Sequence, residues 1–430
     1  MLDTKEKERI GVVSDLLYKA SRSIRILSHI SWPNSVRDKF FASGARELPD
    51  VAYAPYDASE PLQIIAKARR QIQSSVIDDW LARQAGAIEN SARLLSACGT
   101  PEYYRISCEL YGTPMDRLPD QANTSFALAS RFDKQIETFA HVELGAPPAA
   151  CHLAIGVAEE MQKAVRKMFG DDAPDVRVVD ELSANALAGP GRIRIRRSAC
   201  FTDKDIRQLI QHEAYVHVAT SLNGLAQPRL KILAAGHPGT TRTQEGLAVF
   251  AEFITGSIDL DRMRRLADRV LAIQMAVDGA DFLDVYRYFL QRTGGKEQAF
   301  ENARRVFRGG VLSGGTPFTK DVVYLDGLLR VHNFLRVIVS TGRADCLRLL
   351  FAGKLDIEDI PAIFELTQQG MCDEAKYLPP WADDLRFLLC YLTYSSFLNG
   401  IDLAQMKLHY ESLLGAIPQA DSLCMSPHKK

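Results

Sequence analysis

His212, Glu213 and His217 lie close together in the sequence and combine side chains that could bind a metal ion and transfer a proton. Two imidazoles can bind a borderline-soft divalent ion, and a carboxylate beside them can take a proton from a water bound to that ion. Three residues separate Glu213 from His217, whereas the common helical zinc motif has two at this place. The segment therefore predicts most of a catalytic zinc site, with an unusual spacing between its histidines.

Helix geometry decides whether these two histidines can share one ion. On a regular α-helix, residues four apart are separated by roughly 40° around the axis, but residues five apart by roughly 140°. Either the pairing is accidental, with one ring in the core and one on the surface, or the helix contains an extra residue as a π-bulge. Because such bulges tend to occur at functional sites, we predict a π-bulge between His212 and His217.

A catalytic zinc needs a third protein ligand, and Glu245 is the best candidate. The segment Gly236–Gly239 predicts a turn, after which Thr241 or Thr243 could cap a helix that carries Glu245 in its first turn. In that position Glu245 could equally be a carboxylate that the positive end of the helix favours.

Two other residues compete with Glu245 for the third position. His237 lies in the predicted turn, where a Gly/Pro loop would leave it free to move. Glu252 lies seven residues after Glu245, on the same helix face, and better suits a role in supporting a ligand.

Several motifs together resemble a known family, the microtubule-associated tyrosine carboxypeptidases and their bacterial relatives. The relatives are described by a Gln-Glu-Gly-Leu-Ala motif and named for modulating flavohaemoglobin expression. The resemblance spans roughly residues 20–410. The stretches that carry it are residues 212–217, 244–248, 192–196, 305–309 and 320–325.

The resemblance implies a ligand set and a general base. By it, one zinc ion per chain would be bound by His212, His217 and Glu245, and Glu213 would be the general base. The eukaryotic relatives remove a C-terminal tyrosine from tubulin, but that substrate does not carry over with the motifs. A peptide or protein C-terminus is the substrate class that the resemblance implies.

Candidate substrate-binding residues follow from the needs of an exopeptidase. Arginine suits a terminal carboxylate because its fork matches both oxygens, and Arg308, Arg305 and Arg242 are the candidates. Tyr324 is a candidate oxyanion donor, although a tyrosine among apolar residues could equally belong to the core.

The segment Arg192–Arg196 alternates arginine and isoleucine, which predicts a strand with one apolar and one basic face. As an edge strand it could bind an extended acidic peptide through its backbone, with Arg194 among the contacts. The alternative is a solvated outer face that discourages aggregation.

Composition favours an ordinary soluble enzyme. The 430 residues carry a formal net charge of −1, so nothing indicates a nucleic acid or an anionic membrane as partner. No apolar run approaches the ~18 residues of a membrane span, and the charged N-terminus is unlike a signal peptide. Eight cysteines without CxxC pairs favour a reducing cytoplasm. The sequence gives no indication of the oligomeric state.

The pattern predicts an α+β, predominantly helical fold, with a zincin-like metallopeptidase core that holds a small sheet and two zinc-ligand helices. Residues 1–145 are predicted as an N-terminal helical region, with a boundary at Gly145–Pro148. Residues 146–260 form the predicted metal-binding core, and residues 261–418 a helical region that completes the catalytic unit. Residues 419–430 are predicted as a loose tail.

These observations predict a cytoplasmic zinc metallocarboxypeptidase of the glutamate-zincin type, which removes a C-terminal residue. The resemblance alone implies a preference for an aromatic residue such as tyrosine. Two other classes stay open: a metal-binding regulator without catalysis, and a helical interaction protein whose histidines are structural.

Overall fold

A computed structural model describes residues 2–139, 142, 152–180, 182 and 184–414. The described chain is predominantly helical with two small sheets, so the predicted α+β class is confirmed. The predicted boundary at Gly145–Pro148 and the predicted tail at 419–430 lie outside the described residues. No helix in the described ranges is both long enough and apolar enough to cross a membrane.

Seven helices form the N-terminal part. Their bounds are α1 Thr4–Ser23, α2 Ile26–His29, α3 Asn34–Ala42, α4 Ser59–Arg69, α5 Val76–Ser96, α6 Pro101–Tyr111 and α7 Ser125–Glu137. Side-chain caps begin the long ones, since Asp3 and Ser75 accept backbone N–H groups of the first turns of α1 and α5.

Two small sheets and one helix follow in the central part. The bounds are β1 His152–Leu153, α8 Ala154–Phe169, β2 Asp175–Val179, β3 Ala186–Gly189, β4 Arg192–Arg196 and β5 Cys200–Phe201. β1 pairs with β5, and the larger sheet has the order β2-β4-β3, with β2 parallel and β3 antiparallel to β4.

The predicted alternation of buried and exposed residues along β4 is confirmed, but its predicted position at the edge of the sheet is not. Ile193 and Ile195 are fully buried against α8, whereas Arg192 and Arg194 are exposed. β4 is the middle strand, with both edges paired, so the prediction that it binds substrate as an edge strand is wrong. Within the described residues, β3 is the strand of this sheet whose free edge faces the functional site.

The predicted ligands lie on two helices, of which the first consists of three consecutive segments. Their bounds are α9 Asp203–Leu209, a π-helix Ile210–Val218, α10 Ala219–Ala226 and α11 Pro238–Ile254. Thr202 begins α9 with a capping box that it forms with Asp205.

The start of α11 differs from the prediction. The helix begins at Pro238, because the fixed φ and missing N–H of proline suit the first helical position, so neither Thr241 nor Thr243 is its cap. Glu245 is therefore the eighth helical residue and lies two turns inside α11. The positive end of the helix does not explain its position.

Nine further α-helices follow in the described chain. Their bounds are α12 Leu260–Val277, α13 Phe282–Thr293, α14 Lys296–Phe307, α15 Val322–Ser340, α16 Cys346–Leu349, α17 Ile360–Gln368, α18 Pro380–Asp383, α19 Leu385–Leu398 and α20 Leu403–Leu414. One buried core joins the N-terminal helices to those of the site, since Trp80 of α5, Phe250 of α11 and Leu335 of α15 belong to it.

The backbones of α11 and α15 meet at two glycines. A Cβ on Gly246 would lie 2.2 Å from the carbonyl of Gly327, and a Cβ on Gly327 would lie 2.2 Å from the carbonyl oxygen of Arg242. Only glycine fits at both positions, so the glycine after Glu245 fixes the distance between Glu245 and the helix that carries Tyr324.

Candidate metal centre

The π-helix brings the two histidines to one side of their helix. The segment Ile210–Val218 has π-helical hydrogen bonding, which widens each turn so that residues five apart become neighbours. The rings of His212 and His217 lie 4.9 Å apart between centroids and are nearly perpendicular, at 88°. The predicted distortion is confirmed, and it spans nine residues instead of a single turn.

Glu245 completes a group of three converging ligand atoms. Its Oε2 lies 3.4 Å from Nε2 of His212 and 3.5 Å from Nε2 of His217, beyond ordinary hydrogen-bond lengths. A tetrahedral zinc ion with bonds of about 2.0–2.1 Å would separate its ligand atoms by about 3.3 Å. Across the described ranges, this is the one group of three such side chains whose ligand atoms converge, all within 4.8 Å. The donor set therefore fits a zinc ion.

The other oxygen of Glu245 is bound by a lysine. Nζ of Lys320 lies 3.1 Å from Oε1, whereas Oε2 is buried and has no hydrogen-bond partner in the described chain. Burial would raise the pKa of Glu245, but Lys320 and the two histidines hold that pKa well below its usual value. The carboxylate is thus ionised, with one oxygen directed at the histidines.

Glu252 supports His212 from the opposite side of its ring. Oε1 of Glu252 accepts a hydrogen bond from Nδ1 of His212 at 2.7 Å, which leaves Nε2 to face Glu245. Arg262 donates to both oxygens of Glu252 at 2.9 Å, and the carboxylate is 0% exposed. Burial would raise the pKa of Glu252, but Arg262 and His212 lower it to about 2. Glu252 therefore holds the ring of His212 and is not one of the three side chains whose ligand atoms converge.

The two histidines differ in their charge environment. Burial alone would lower the pKa of His212, but the carboxylates of Glu245 and Glu252 raise it to about 10. Burial lowers the pKa of His217, whose Nδ1 has no partner in the described residues.

Glu213 lies beside the three converging groups and contacts the free edge of the sheet. Its Oε2 accepts a hydrogen bond from the backbone N–H of Ala188 in β3 at 3.0 Å. The side chain is buried from bulk solvent, yet it lines two large cavities. Its other oxygen has no hydrogen bond in the described structure, and this oxygen could exchange a proton with a water at the centre.

Two cavities flank the candidate centre. Their volumes are about 760 Å³ and 740 Å³. The residues that line both cavities include His212, Glu213, Arg305 and Tyr324. A groove thus passes across the converging side chains, with space for a chain on both sides.

The predicted arginines have different surroundings. Arg305 is held by Asp321, with Nε 2.6 Å from a carboxylate oxygen. Arg308 is 3% exposed and lines the first cavity, and none of the described carboxylates forms an ion pair with it. Burial lowers the pKa of Arg308 to about 10, so it remains charged at neutral pH. Phe318 lies beneath its guanidinium, at 5.8 Å from the ring centroid.

Arg242 is not brought to the centre. Its guanidinium binds Asp326 at 3.0 Å and the carbonyl oxygen of Tyr111 at 3.0 Å, and neither large cavity has it in its wall. Arg194 is exposed and lines the first cavity.

Tyr324 lines both large cavities, between two cations. Arg269 and Lys320 lie 4.8 Å and 5.0 Å from its ring centroid. The structure thus places Tyr324 at the groove and not in the middle of the core.

Sequence reasoning missed three charged residues of the site. Lys320 and Arg262 bind the two glutamates, and Nζ of the half-buried Lys354 lies 3.4 Å from the carbonyl oxygen of His217. Burial lowers the pKa of Lys354 to about 8. A single lysine or arginine gives no periodic signal, because its partner is set by the approach of distant segments.

A comparison with family models finds one match over most of the chain. The model described as microtubule-associated tyrosine carboxypeptidase matches residues 38–400. A search of curated proteins found no significant match. The matched range includes all three converging ligand residues and Glu213.

Proposed function

The chain belongs to the microtubule-associated tyrosine carboxypeptidase family, and on that premise we propose that it is a zinc-dependent carboxypeptidase. The observation that carries the proposal is the approach of two histidine Nε2 atoms to one oxygen of Glu245, at 3.4 and 3.5 Å, where that oxygen has no hydrogen bond among the described residues. His212, His217 and Glu245 would hold the ion. A zinc ion bound there would supply Lewis acidity and make a water more acidic.

Glu213 is the proposed general base. Its free oxygen takes the proton from the attacking water, while the N–H of Ala188 holds the other oxygen in place. The same oxygen then passes the proton to the nitrogen of the leaving residue. Tyr324 is the proposed donor to the oxygen of the cleaved carbonyl, since its ring lies at the groove between Arg269 and Lys320.

Arg308 is the proposed anchor for the terminal carboxylate. A buried guanidinium without a counter-charge is costly, and a substrate carboxylate would provide the missing partner. Arg305 is a weaker candidate because Asp321 already holds it, and Arg242 is weaker because it lies away from the cavities. An anchor of this kind favours removal of a terminal residue over internal cleavage.

The rest of the substrate is proposed to lie along β3. One edge of β3 pairs with β4, and the opposite edge has no strand beside it in the described residues. This unpaired edge contacts Glu213 through the N–H of Ala188. Arg194 and Arg196 of the neighbouring strand line the first cavity and would favour acidic residues in the peptide.

Metal analysis is the first test. The purified chain should bind about one zinc ion, and His217→Ala and Glu245→Ala should bind none. His332→Ala is a matched control, because this half-buried histidine contacts Tyr391 outside the site. Glu213→Gln should retain zinc and lose hydrolysis by about 100-fold to 10,000-fold. Metal-free wild-type protein, even with added zinc, would overturn the proposal.

A peptide panel tests the cleavage itself. Peptides that differ in the C-terminal residue should lose that residue, as followed by mass spectrometry. The same peptides with an amidated C-terminus lack the carboxylate that Arg308 would bind, and they should be cleaved far more slowly. Equal cleavage of both forms would indicate an endopeptidase. Zinc binding without any cleavage would support the metal-binding regulator instead.

A further inference from the structure

The helix α19 is apolar on two sides. Leu388 and Leu392 are fully buried in the core that α19 shares with α15, against which it packs. On the other side, Phe387 and Phe397 are 64% and 70% exposed. Arg386 is the one charged residue of this 14-residue helix. Because a surface helix normally carries polar residues opposite its buried side, the outer side of α19 has the composition of a surface that is covered.

The exposed side chains of α19 have the spacing of a helix contact. Phe387, Cys390, Tyr394 and Phe397 follow one another at intervals of three, four and three residues, and all four are exposed. This spacing aligns them in one row along the helix, which we call the outer stripe. Apolar rows of this kind are the surfaces through which helices pack side by side.

The following helix, α20, buries none of its described side chains. Residues 403–412 are all exposed, although Leu403, Met406 and Tyr410 recur at intervals of three and four residues. A helix of 12 residues is only marginally stable in water by itself, and helices in proteins owe most of their stability to the packing of an apolar face. The family match ends at residue 400, so it does not account for α20.

The charges of the two helices are balanced. Arg386 pairs with Asp384 and Lys407 pairs with Glu411, and the stretch from Leu385 to Leu414 contains two basic and two acidic residues. A helix that lies on an anionic membrane carries an excess of lysine and arginine, and this stretch has none. A second copy of the same surface would meet no like-charge repulsion.

The exposed apolar area has the size of one half of a stable interface. Large apolar side chains of these helices and their connection are between 37% and 78% exposed, namely Phe387, Tyr394, Phe397, Leu398, Ile401, Leu403, Met406 and Tyr410. With an area on the order of 200 Å² for each side chain, they present on the order of 800 Å². A standard protein interface takes about 800 Å² from each partner.

We propose that α19 and α20 form the interface of a homodimer, in which they pack on the same two helices of a second copy about a twofold axis. A surface that pairs with itself closes the assembly at two chains. The outer stripes then cover each other, and α20 gains the apolar contact that the described chain does not give it. This proposal is independent of the carboxypeptidase function, because the converging ligands lie on the π-helix and α11.

Sedimentation velocity of the full chain tests the dimer. At about 100 µM, wild type should sediment with twice the 47.8 kDa mass of one chain. In Phe397→Glu the dissociation constant should rise by at least about thirtyfold, because each copy would bury a carboxylate without a partner. Ile155→Glu is the matched control, since Ile155 is 63% exposed on α8, and it should dimerise as wild type does. Monomeric wild type, or a mass that grows beyond two chains, would overturn the proposal.

A second variant protects the test against misfolding of Phe397→Glu. Leu403 is 78% exposed at the start of α20, so Leu403→Glu should retain the helical circular dichroism of wild type and still weaken the dimer. A dimer that is unchanged in both folded variants would place the interface elsewhere and contradict the assignment.

Cysteine labelling locates the interface directly. Cys390 belongs to the outer stripe, whereas the equally exposed Cys200 lies in β5. Between dilute and concentrated protein, maleimide labelling of Cys390 should slow on the order of tenfold while that of Cys200 stays constant, as followed by peptide mass spectrometry. Unchanged labelling of Cys390 in a protein that does dimerise would exclude the outer stripe.

Vesicles of phosphatidylserine and phosphatidylcholine distinguish a membrane from a second copy. Wild type should stay in the supernatant when such vesicles are sedimented. Monomeric wild type that sediments with the vesicles, together with Phe397→Glu that does not, would overturn the dimer and assign this surface to a membrane.

Discussion

Glu245 and Glu252 lie seven residues apart on one face of α11, yet their surroundings differ in kind. Both oxygens of Glu252 are bound, by His212 on one side and by Arg262 on the other. Glu245 has one oxygen bound by Lys320, and the other faces two imidazoles and has no hydrogen bond within the described part of the chain. Among the described residues, the two carboxylates thus differ by a single unsatisfied oxygen, which is the atom that we propose binds the metal.

The neighbouring cations produce this difference. Arg262 is a planar fork that saturates a carboxylate through two bonds, whereas the ammonium of Lys320 is a point charge that binds one oxygen. Among the described residues, hydrogen bonding is complete at Glu252 and incomplete at Glu245, so only Glu245 has an oxygen that could bind a cation while its ion pair stays intact.

Removing the charge of Glu245 should have the largest effect. Glu245→Gln keeps the size of the side chain but not the anionic ligand atom, so the variant should retain almost no zinc. Hydrolysis should fall by at least about a thousandfold, because the ion is worth several kcal/mol in the transition state. Metal content and kcat/KM measure this. Full zinc occupancy in the variant would contradict the role of Glu245 as a ligand.

The matching change at Glu252 should weaken the centre without abolishing it. Glu252→Gln leaves Nδ1 of His212 less firmly held, and zinc affinity should fall by about 10-fold to 100-fold. The free energy of unfolding should drop by about 3–5 kcal/mol, because Arg262 becomes a buried charge without a partner.

A double substitution separates these two effects. Glu252→Gln with Arg262→Met should recover much of the lost stability in chemical denaturation, while zinc affinity stays low. Recovery of both quantities would mean that Glu252 acts on the centre only through the stability of the fold.

The glycine contact between α11 and α15 tests whether the spacing of Glu245 matters. Gly246→Ala forces the helices apart, and we expect a loss of about 1–3 kcal/mol in unfolding free energy together with weaker zinc binding. Gly156→Ala is the matched control, since a Cβ there meets nothing within 4 Å, and it should stabilise α8 by about 0.5–1 kcal/mol. Similar behaviour of both variants would exclude the close approach as a constraint on the centre.

Arg308 and Arg305 differ in the same way as the two glutamates, since Asp321 binds Arg305 and none of the described carboxylates binds Arg308. The expected effects are smaller. Arg308→Met removes a charge without a counter-charge, so the fold should lose no stability while KM rises by about tenfold to a hundredfold. Arg305→Met leaves Asp321 buried beside Arg269, and the unfolding free energy should fall instead. Denaturant titration and steady-state kinetics distinguish the two, and an unchanged KM in Arg308→Met would remove it as the carboxylate anchor.

Features that depend on a few consecutive residues could be predicted from the sequence. The five-residue spacing of His212 and His217 predicts a π-distortion, because backbone geometry fixes the angle between residues on a helix. The alternation in Arg192–Arg196 likewise fixes which side of the strand is buried, and Thr202 predicts a helix start.

Features that depend on the approach of distant segments could not be predicted from sequence patterns. Strand order places β4 in the middle of its sheet and β3 at the edge, although both strands are short and have few residues to distinguish them. The partners Lys320 and Arg262 come from other parts of the chain than the π-helix, and they determine which glutamate oxygen stays free. Periodicity is a local property of the backbone, whereas charge compensation depends on which side chains the fold brings within hydrogen-bonding distance.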